Sequence, residues 1–136
     1  MVARQFPSLI VGVRALSGPR NEVIMIKVIE IPEKGRGVIA CNHINAGQVI
    51  AEDPIFEIPN DYNYPPEIDN MRMSWNETHD VIALGITNLL NHSPNSNVTI
   101  FDDFKNRTKS VIAKRDIEEG EELTINYECD LWFDVV

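Results

Sequence analysis

Cysteine is scarce in this sequence. The 136 residues include two cysteines, Cys41 and Cys129, and these do not form a Cys-x-x-Cys pair. Structural zinc sites commonly use such pairs, so we expect no bound metal ion. A chain without a disulfide framework is also typical of a reducing compartment, and we expect a cytoplasmic protein.

Positive charge is scarce as well. Lysine and arginine together number 12 against 21 acidic residues, which gives a formal net charge of −9 at neutral pH. A protein that follows the phosphates of a nucleic acid needs a basic face, so we expect no direct nucleic-acid partner. The acidic balance is compatible with a lysine- and arginine-rich protein partner, although solubility alone is the commoner reason for it.

Long hydrophobic runs are missing too. No apolar run approaches the roughly 20 residues that a membrane-spanning helix needs, so we expect no membrane partner. The sequence also contains no internal repeat and no low-complexity tract. Its length and its hydrophobic content of 43% fit one globular domain over residues 1–136.

Short segments rich in valine and isoleucine alternate with turn-forming residues, which predicts a mainly β fold. The first segment, at residues 9–13, is predicted to be an edge strand. A partial apolar stripe predicts a short helix over residues 79–90. Residues 59–75 are predicted to be a variable insert, because residues 59–70 hold three prolines and few apolar side chains. The other predicted strands lie at residues 23–29, 38–40, 48–51, 54–58, 98–101, 110–113 and 123–127.

Two motifs of polar and glycine residues interrupt this pattern. In Lys34–Gly37 (KGRG), two glycines stand two residues apart, where a backbone without Cβ atoms can turn tightly or approach a ligand. Taken alone, this motif is more simply a β-turn. The second motif, Asn91–Ser93 (NHS), is typical of a turn, and its lone histidine is most often a hydrogen-bonded structural residue.

A third motif lies at the end of the last predicted strand. Leu123, Ile125 and Tyr127 alternate with polar residues, which places the tyrosine on the apolar face of the strand. A buried tyrosine is usually a core residue with a hydrogen-bonded hydroxyl, but it could also present its phenol at the mouth of a site. We interpret the preceding acidic run, Glu118–Glu122, as a solvated turn rather than as a pair of catalytic carboxylates.

The order and spacing of the three motifs resemble those of the SET-domain protein lysine methyltransferases. Residues 44–50 (INAGQVI) are similar to the family's I-x-x-G-x-x-I segment, and residues 113–122 (AKRDIEEGEE) to its A-x-R-D-I-x-x-G-E-E run. The resemblance covers about residues 23–133. It is closest to the small stand-alone SET proteins of viruses and bacteria.

The resemblance implies small curved β-sheets, one or two short helices and a C-terminal pseudoknot, in which Asn91–Ser93 passes under a loop. It also implies methyl transfer from S-adenosylmethionine to a lysine side chain of a basic protein or peptide, for which a histone is one candidate. A histone substrate would place the protein in a nucleus, its own or that of a host cell. Small viral relatives can pair as homodimers, so the resemblance also allows a homodimer.

The cofactor site that the resemblance implies is formed by the first two motifs. The methionine end of the cofactor is expected to lie against the backbone of Gly35, Arg36 and Gly37, with Lys34 included in the site. Asn91 is expected to accept a hydrogen bond from the cofactor's ammonium group. His92 is expected to contact the adenine through its main chain, so that its imidazole has no catalytic role.

The catalytic residue that the resemblance implies is Tyr127, which matches the active-site tyrosine of the family. We expect its hydroxyl to orient the substrate amine and the methyl group. A free lysine has a pKa of about 10.4, and a desolvated channel beside the sulfonium cation should lower it, so no carboxylate base is assigned. Trp132 could cover the adenine, line the lysine channel or form a hydrophobic plug over the core.

The sequence departs from the commonest family pattern at two positions. The family often continues Asn-His-Ser-Cys-x-Pro-Asn, whereas Pro94 and Ser96 stand here in place of the cysteine and the proline. The three-cysteine segment that completes a zinc site in many relatives is also absent, which again predicts no metal. Two alternatives to an active enzyme are a SET-like module that binds a peptide or cofactor without turnover, and a structural β-rich domain with coincidental motifs.

Overall fold

A computed structural model describes residues 9–14 and 23–126 of the chain. Within these ranges the elements are strands, apart from one α-helical turn and one 3-10 helix, which confirms the predicted mainly β fold. In chain order the elements are β1 (Leu9–Arg14), β2 (Val23–Ile31), β3 (Gly35–Ala40), β4 (Val49–Pro59), α1 (Pro66–Asp69), β5 (Arg72–Ser74), β6 (His79–Ala83), the 3-10 helix (Ile86–Leu89), β7 (Asn91–His92), β8 (Val98–Asp103), β9 (Thr108–Ala113) and β10 (Thr124–Ile125).

The described strands form three small sheets. Strands β1, β2 and β3 form an antiparallel sheet in that order, which confirms that β1 is an edge strand. Strands β5, β6, β4, β9 and β8 form an antiparallel sheet of five strands. Strands β7 and β10 form a two-stranded parallel sheet. The apolar face of a sheet must be covered by another element, so the sheets pack on one another around a shared core.

One core of buried aliphatic side chains joins the sheets. In β2 the side chains of Ile24 and Ile26 are buried, as period-two alternation in a strand predicts. They belong to one cluster with Ile50 of β4, Val111 of β9 and Leu123, the residue before β10. Burying an aliphatic side chain of this size contributes about 1.5–3 kcal/mol, so this cluster fixes how the sheets are arranged.

The prediction of a helix over residues 79–90 is wrong. Residues 79–83 form β6, in which Val81 and Ala83 are buried with the period of a strand. The strand lies between β4 and β5, and this pairing overrides the weak helical stripe. Helical structure begins only at Ile86, after Gly85, as a single 3-10 turn.

Two other predicted segments also differ from the structure. The two strands predicted at residues 48–51 and 54–58 are one strand, β4, which begins at Val49 and whose register with β9 shifts between Val49 and Ala51. Such a bulge bends a strand without ending it. Within residues 59–75, the structure adds the helical turn α1 and the strand β5, which pairs with β6.

The last predicted strand is shorter than expected. Only Thr124 and Ile125 form β10, and Thr124 is buried although it was expected on the polar face. Its backbone N–H donates to the side-chain Oδ1 of Asn97 at 2.9 Å, which pairs a buried backbone donor. Tyr127 and Trp132 lie outside the described residues.

Candidate functional site

Pairing of β7 with β10 brings the second and third motifs together. Asn91 is the register partner of Thr124, and His92 is the partner of Ile125. The backbone N–H of Ser93 continues the pairing by donating to the carbonyl of Ile125, at 2.9 Å. A parallel pair requires a crossover connection rather than a hairpin, so this contact depends on the whole chain between the two motifs.

The glycine motif lies against the same C-terminal segment. The backbone N–H of Leu123 donates to the carbonyl of Val38 at 2.7 Å, and that of Ala40 donates to the carbonyl of Glu121 at 2.9 Å. Ile39 and Glu122 form an antiparallel bridge. Strand β3, which begins in the glycine motif, therefore lies directly beside residues 121–123, and the three motifs meet at one place.

Gly37 is required by the space at this meeting point. A Cβ atom added to it would lie 2.8 Å from both Asn91 Nδ2 and Glu122 Oε2, and closer still to the side chain of Ile31. Gly35 is required by its conformation instead, because its φ is +84° and an added Cβ would meet nothing within 4 Å. The two glycines of the motif thus serve different purposes.

The side chain of Asn91 is held by two acceptors. Its Nδ2 donates to the backbone carbonyl of Arg36 at 3.1 Å and to Glu122 Oε2 at 2.7 Å. An amide nitrogen has two N–H donors, and these bonds use both. The amide is therefore oriented so that Oδ1, its acceptor, points away from Arg36 and Glu122.

Glu122 is a site residue that the sequence analysis missed. Besides accepting from Asn91, its carboxylate pairs with Lys34, with 3.3 Å between Oε1 and Nζ. Its side chain is only 18% exposed, whereas that of Lys34 is 47% exposed. The interpretation of residues 118–122 as a solvated turn is therefore wrong for this residue. The only signal in the sequence was its position directly before Leu123, a core residue.

Asn97 was also missed, and it holds the turn that follows β7. It is 2% exposed, and its Nδ2 donates to the carbonyl of Glu122 at 2.8 Å. Its Nδ2 also lies 3.4 Å from a carboxylate oxygen of Glu121, which Arg115 contacts at 3.1 Å. Burial by itself would raise the pKa of Glu121, but the hydrogen bonds from Arg115 and Asn97 outweigh it and hold that pKa below its ordinary value.

The remaining predicted site residues are distributed as follows. His92 is half-buried on β7, next to Asn91, with its backbone in the β7–β10 pairing. Arg36 has an exposed side chain and contributes its carbonyl to the site. The roles of Tyr127 and Trp132 stay predictions, because both lie outside the described residues.

Two kinds of feature are absent from the part of the chain that the structure describes. In residues 9–14 and 23–126, no three histidine, cysteine, aspartate or glutamate side chains are grouped so that they could hold a metal ion. Over the same ranges, no helix has the length and apolar character needed to cross a membrane.

Comparison with known proteins identifies the fold. The model of the SET domain family matches residues 35–128, which is more than half of the chain. The chain belongs to the SET-domain family. This match includes the glycine motif from Gly35 onward, all of Asn91–Ser93, and Tyr127. It confirms both the resemblance stated from the sequence and the predicted fold of small curved sheets.

Two relatives support this SET-domain assignment. The chain is 29% identical to the histone-lysine N-methyltransferase, H3 lysine-37 specific, of Schizosaccharomyces pombe, over 80% of this chain and 77% of that protein. It also matches the crystal structure of a Plasmodium falciparum protein described as a candidate histone methyltransferase. There the TM-score is 0.66 and the identity 24%, over 79% of this chain and 96% of the other, which shows a common fold.

Membership of the SET-domain family gives the activity. The protein is a lysine methyltransferase that uses S-adenosylmethionine as methyl donor, as the sequence motifs predicted. Its substrate is a protein that contains a lysine.

Proposed function

We propose that this SET-domain protein methylates a lysine of a basic protein of the histone class, with its cofactor bound where the three motifs meet. The observation that carries the proposal is the contact between the glycine motif, Asn91 and Glu122. These residues are up to 88 positions apart in the sequence, as the Lys34–Glu122 pair illustrates. The single domain at residues 1–136 is proposed to contain the complete site.

The chemistry of the meeting point fits the methionine end of the cofactor, which carries an ammonium and a carboxylate. Asn91 Oδ1 is proposed to accept a hydrogen bond from the ammonium. The Lys34 ammonium, which pairs with Glu122, is proposed to attract the cofactor carboxylate. Exposed backbone at Gly35 and Arg36 is proposed to line the site, and the main chain of His92 to contact the adenine. When bound, the cofactor supplies an electrophilic methyl group on a sulfonium.

Tyr127 is proposed to orient the substrate amine. It follows β10 by two positions in the sequence, and β10 pairs with the strand that carries Asn91, which supports this proposal. The protein's task in such a displacement is mainly to position the reacting atoms, which can contribute a large part of the rate. Trp132 is proposed to close the same site over the adenine.

The substrate class is supported by charge. A net charge of −9 attracts lysine- and arginine-rich chains at low ionic strength. The Schizosaccharomyces pombe relative is named for a lysine of histone H3, which is a basic protein of this kind. A histone substrate implies that the protein acts in a nucleus rather than only in the cytoplasm.

A homodimer is the proposed assembly. Phe56 and Phe101 are 59% and 58% exposed, and their register places both on the outer face of the five-stranded sheet. Light scattering tests the homodimer by measuring the molar mass of the wild type and of the double variant Phe56→Ser/Phe101→Ser. Twice the chain mass for the wild type and a single chain mass for the variant support a dimer, and a monomeric wild type refutes it.

The experiment that tests the proposed function is methyl transfer itself. The protein is incubated with isotopically labelled S-adenosylmethionine and a mixture of core histones and acidic control proteins, and products are identified by mass spectrometry. We expect label on lysines of the histones. Tyr127→Phe should lower kcat by about 10²-fold while leaving cofactor affinity within about twofold. Cofactor binding without any transfer would indicate a binding module, and near-normal turnover of Tyr127→Phe would remove the proposed role of the tyrosine.

A further inference from the structure

We infer that Glu122 is a positioning residue of the cofactor site, which fixes the orientation of the Asn91 amide. The inference rests on the proposed cofactor role of Asn91 and deepens it. Glu122 belongs to an acidic run that resembles a surface turn, but its carboxylate joins the side chains of Asn91 and Lys34 in the partly buried space beside Gly37.

The amide group of Asn91 needs an external constraint to present its oxygen. An asparagine side chain can rotate by half a turn and exchange its Oδ1 and Nδ2 at little cost when its neighbours are water. Here its two partners, the Arg36 carbonyl and the Glu122 carboxylate, are both acceptors. Rotation would place Oδ1 against these two oxygen atoms, so the amide is held with Nδ2 inward and Oδ1 outward.

Of the two acceptors, the carboxylate is the stronger constraint. The Asn91–Glu122 hydrogen bond, at 2.7 Å, is shorter than the 3.1 Å bond to the Arg36 carbonyl. Hydrogen bonds to an ionised acceptor are roughly twice as strong as neutral ones. Glu122 therefore contributes most of the energy that prevents rotation of the amide.

Lys34 completes this arrangement by holding the carboxylate in place. Its Nζ lies 3.3 Å from Oε1 of Glu122, while Oε2 of the same carboxylate accepts from Asn91. Each carboxylate oxygen therefore contacts a different partner, and the two contacts together fix the orientation of the carboxylate between Lys34 and Asn91. The close approach of Asn91 and Glu122 also depends on Gly37, because a side chain there would occupy the space between them and the backbone.

The charge of Glu122 adds a second contribution. The cofactor carries a sulfonium and an ammonium, and the Glu122 carboxylate, whose side chain is 18% exposed, lies across the Asn91 amide from the proposed ammonium site and attracts both cations from there. Removal of Glu122 should therefore weaken cofactor binding, with little effect on the chemical step once the cofactor is bound. This pattern distinguishes a positioning residue from a catalytic one.

The test measures the dissociation constant of S-adenosylmethionine and the kcat at saturating cofactor. For Glu122→Ala we expect the dissociation constant to rise about fivefold to tenfold, and kcat to stay within about twofold. Glu122→Gln should lie between wild type and alanine, because its amide oxygen can still accept from Asn91. The matched control is Glu119→Gln, which removes the same charge from an exposed residue of the same turn and should bind the cofactor like the wild type.

A double-mutant cycle decides whether Glu122 acts through Asn91. If it does, Glu122→Gln should weaken binding clearly less in the Asn91→Ala background than in the wild type, because only the contribution of the Glu122 charge is then lost. Additive effects, or unchanged binding by Glu122→Gln and Glu122→Ala, would overturn the inference. If Asn91→Ala itself binds the cofactor like the wild type, the proposed cofactor site fails instead, so the two failures can be told apart. The glutamine variant is isosteric, which keeps the test valid even if the alanine variant does not fold.

Discussion

At the scale of single residues, the site depends on the glycines of the Lys34–Gly37 motif as much as on its polar side chains. The glycine motif lets the backbone of β3 approach Asn91 and Glu122 so closely that Asn91 Nδ2 donates to the carbonyl of Arg36. Because Asn91 needs this close approach, the glycine motif predicts a site when an Asn-His-Ser motif is also present. Alone it predicts only a turn. The same contact makes Gly37 a sensitive position.

Gly37→Ala should disrupt the site. The added Cβ would lie 2.8 Å from Asn91 Nδ2 and Glu122 Oε2, so one or both side chains must move. We expect a loss of about 1–3 kcal/mol in the free energy of unfolding and a clear loss of cofactor affinity. The control is Gly47→Ala, which strains a φ of +86° in open space and should lower stability but not affinity. Equal cofactor affinity in both variants would contradict this account, as measured by titration calorimetry and urea unfolding.

His43 should make stability depend on pH. A hydrogen bond with Glu118 raises the pKa of His43 above its ordinary value, with further contributions from Asn45 and Asp116. The protonated form is therefore favoured in the folded state. Its stabilisation is complete below the unfolded-state pKa of 6.5 and is lost as the pH rises through the raised pKa. The stability difference between wild type and His43→Gln should thus be larger at about pH 5.5 than at about pH 8.5, and a constant difference would refute it.

At the scale of elements, the segment that carries Asn91 is anchored from the five-stranded sheet. Asp53 of β4 is buried, and its carboxylate accepts from the backbone N–H of Thr87 at 2.7 Å and from the hydroxyl of the same residue. These bonds fix the start of the 3-10 helix, which leads into β7. Gly85 lies so close to this carboxylate that a side chain there would overlap with it.

Asp53→Ala should therefore destabilise the fold. It removes a charged acceptor and leaves a buried N–H without its partner, which costs about 2–3 kcal/mol. Urea unfolding at neutral pH measures this loss. Asp61→Ala, an exposed aspartate in the loop after β4, is the matched control and should change the free energy of unfolding by less than about 0.5 kcal/mol. An equally small effect of Asp53→Ala would show that the 3-10 helix is held by other contacts.

Elements differ in how far the sequence determines them. Strands β2, β8 and β9 are rich in β-branched residues, and their positions were predicted within a few residues. Residues 79–90 were not, because Val81–Leu84 has neither a clear helical nor a clear strand period, and the neighbouring strands β4 and β5 decide its conformation. The secondary-structure propensity of a short segment is a weak predictor of its conformation where pairing with neighbouring strands supplies most of its hydrogen bonds.

At the scale of the whole molecule, the candidate site arises from long-range contacts. The sequence motifs predicted which segments form it, and the family match confirms the fold that brings them together. The role of Glu122 could not be predicted, because it depends on one carboxylate being placed between Lys34 and Asn91 by strands that are distant in the sequence. An acidic run looks the same in the sequence whether its members are solvated or partly buried.

The central claim is that the meeting point of the three motifs binds the methyl donor. Its most direct test is calorimetric titration of S-adenosylmethionine into the wild type, Asn91→Ala and Asn95→Ala. Asn95 is an exposed asparagine of the same turn and serves as the matched control. We predict one site per chain in the wild type, unchanged affinity for Asn95→Ala, and a loss of about tenfold or more for Asn91→Ala, because a hydrogen bond to a charged group is removed. Undetectable binding to the wild type, or equal affinity for all three proteins, would contradict the claim.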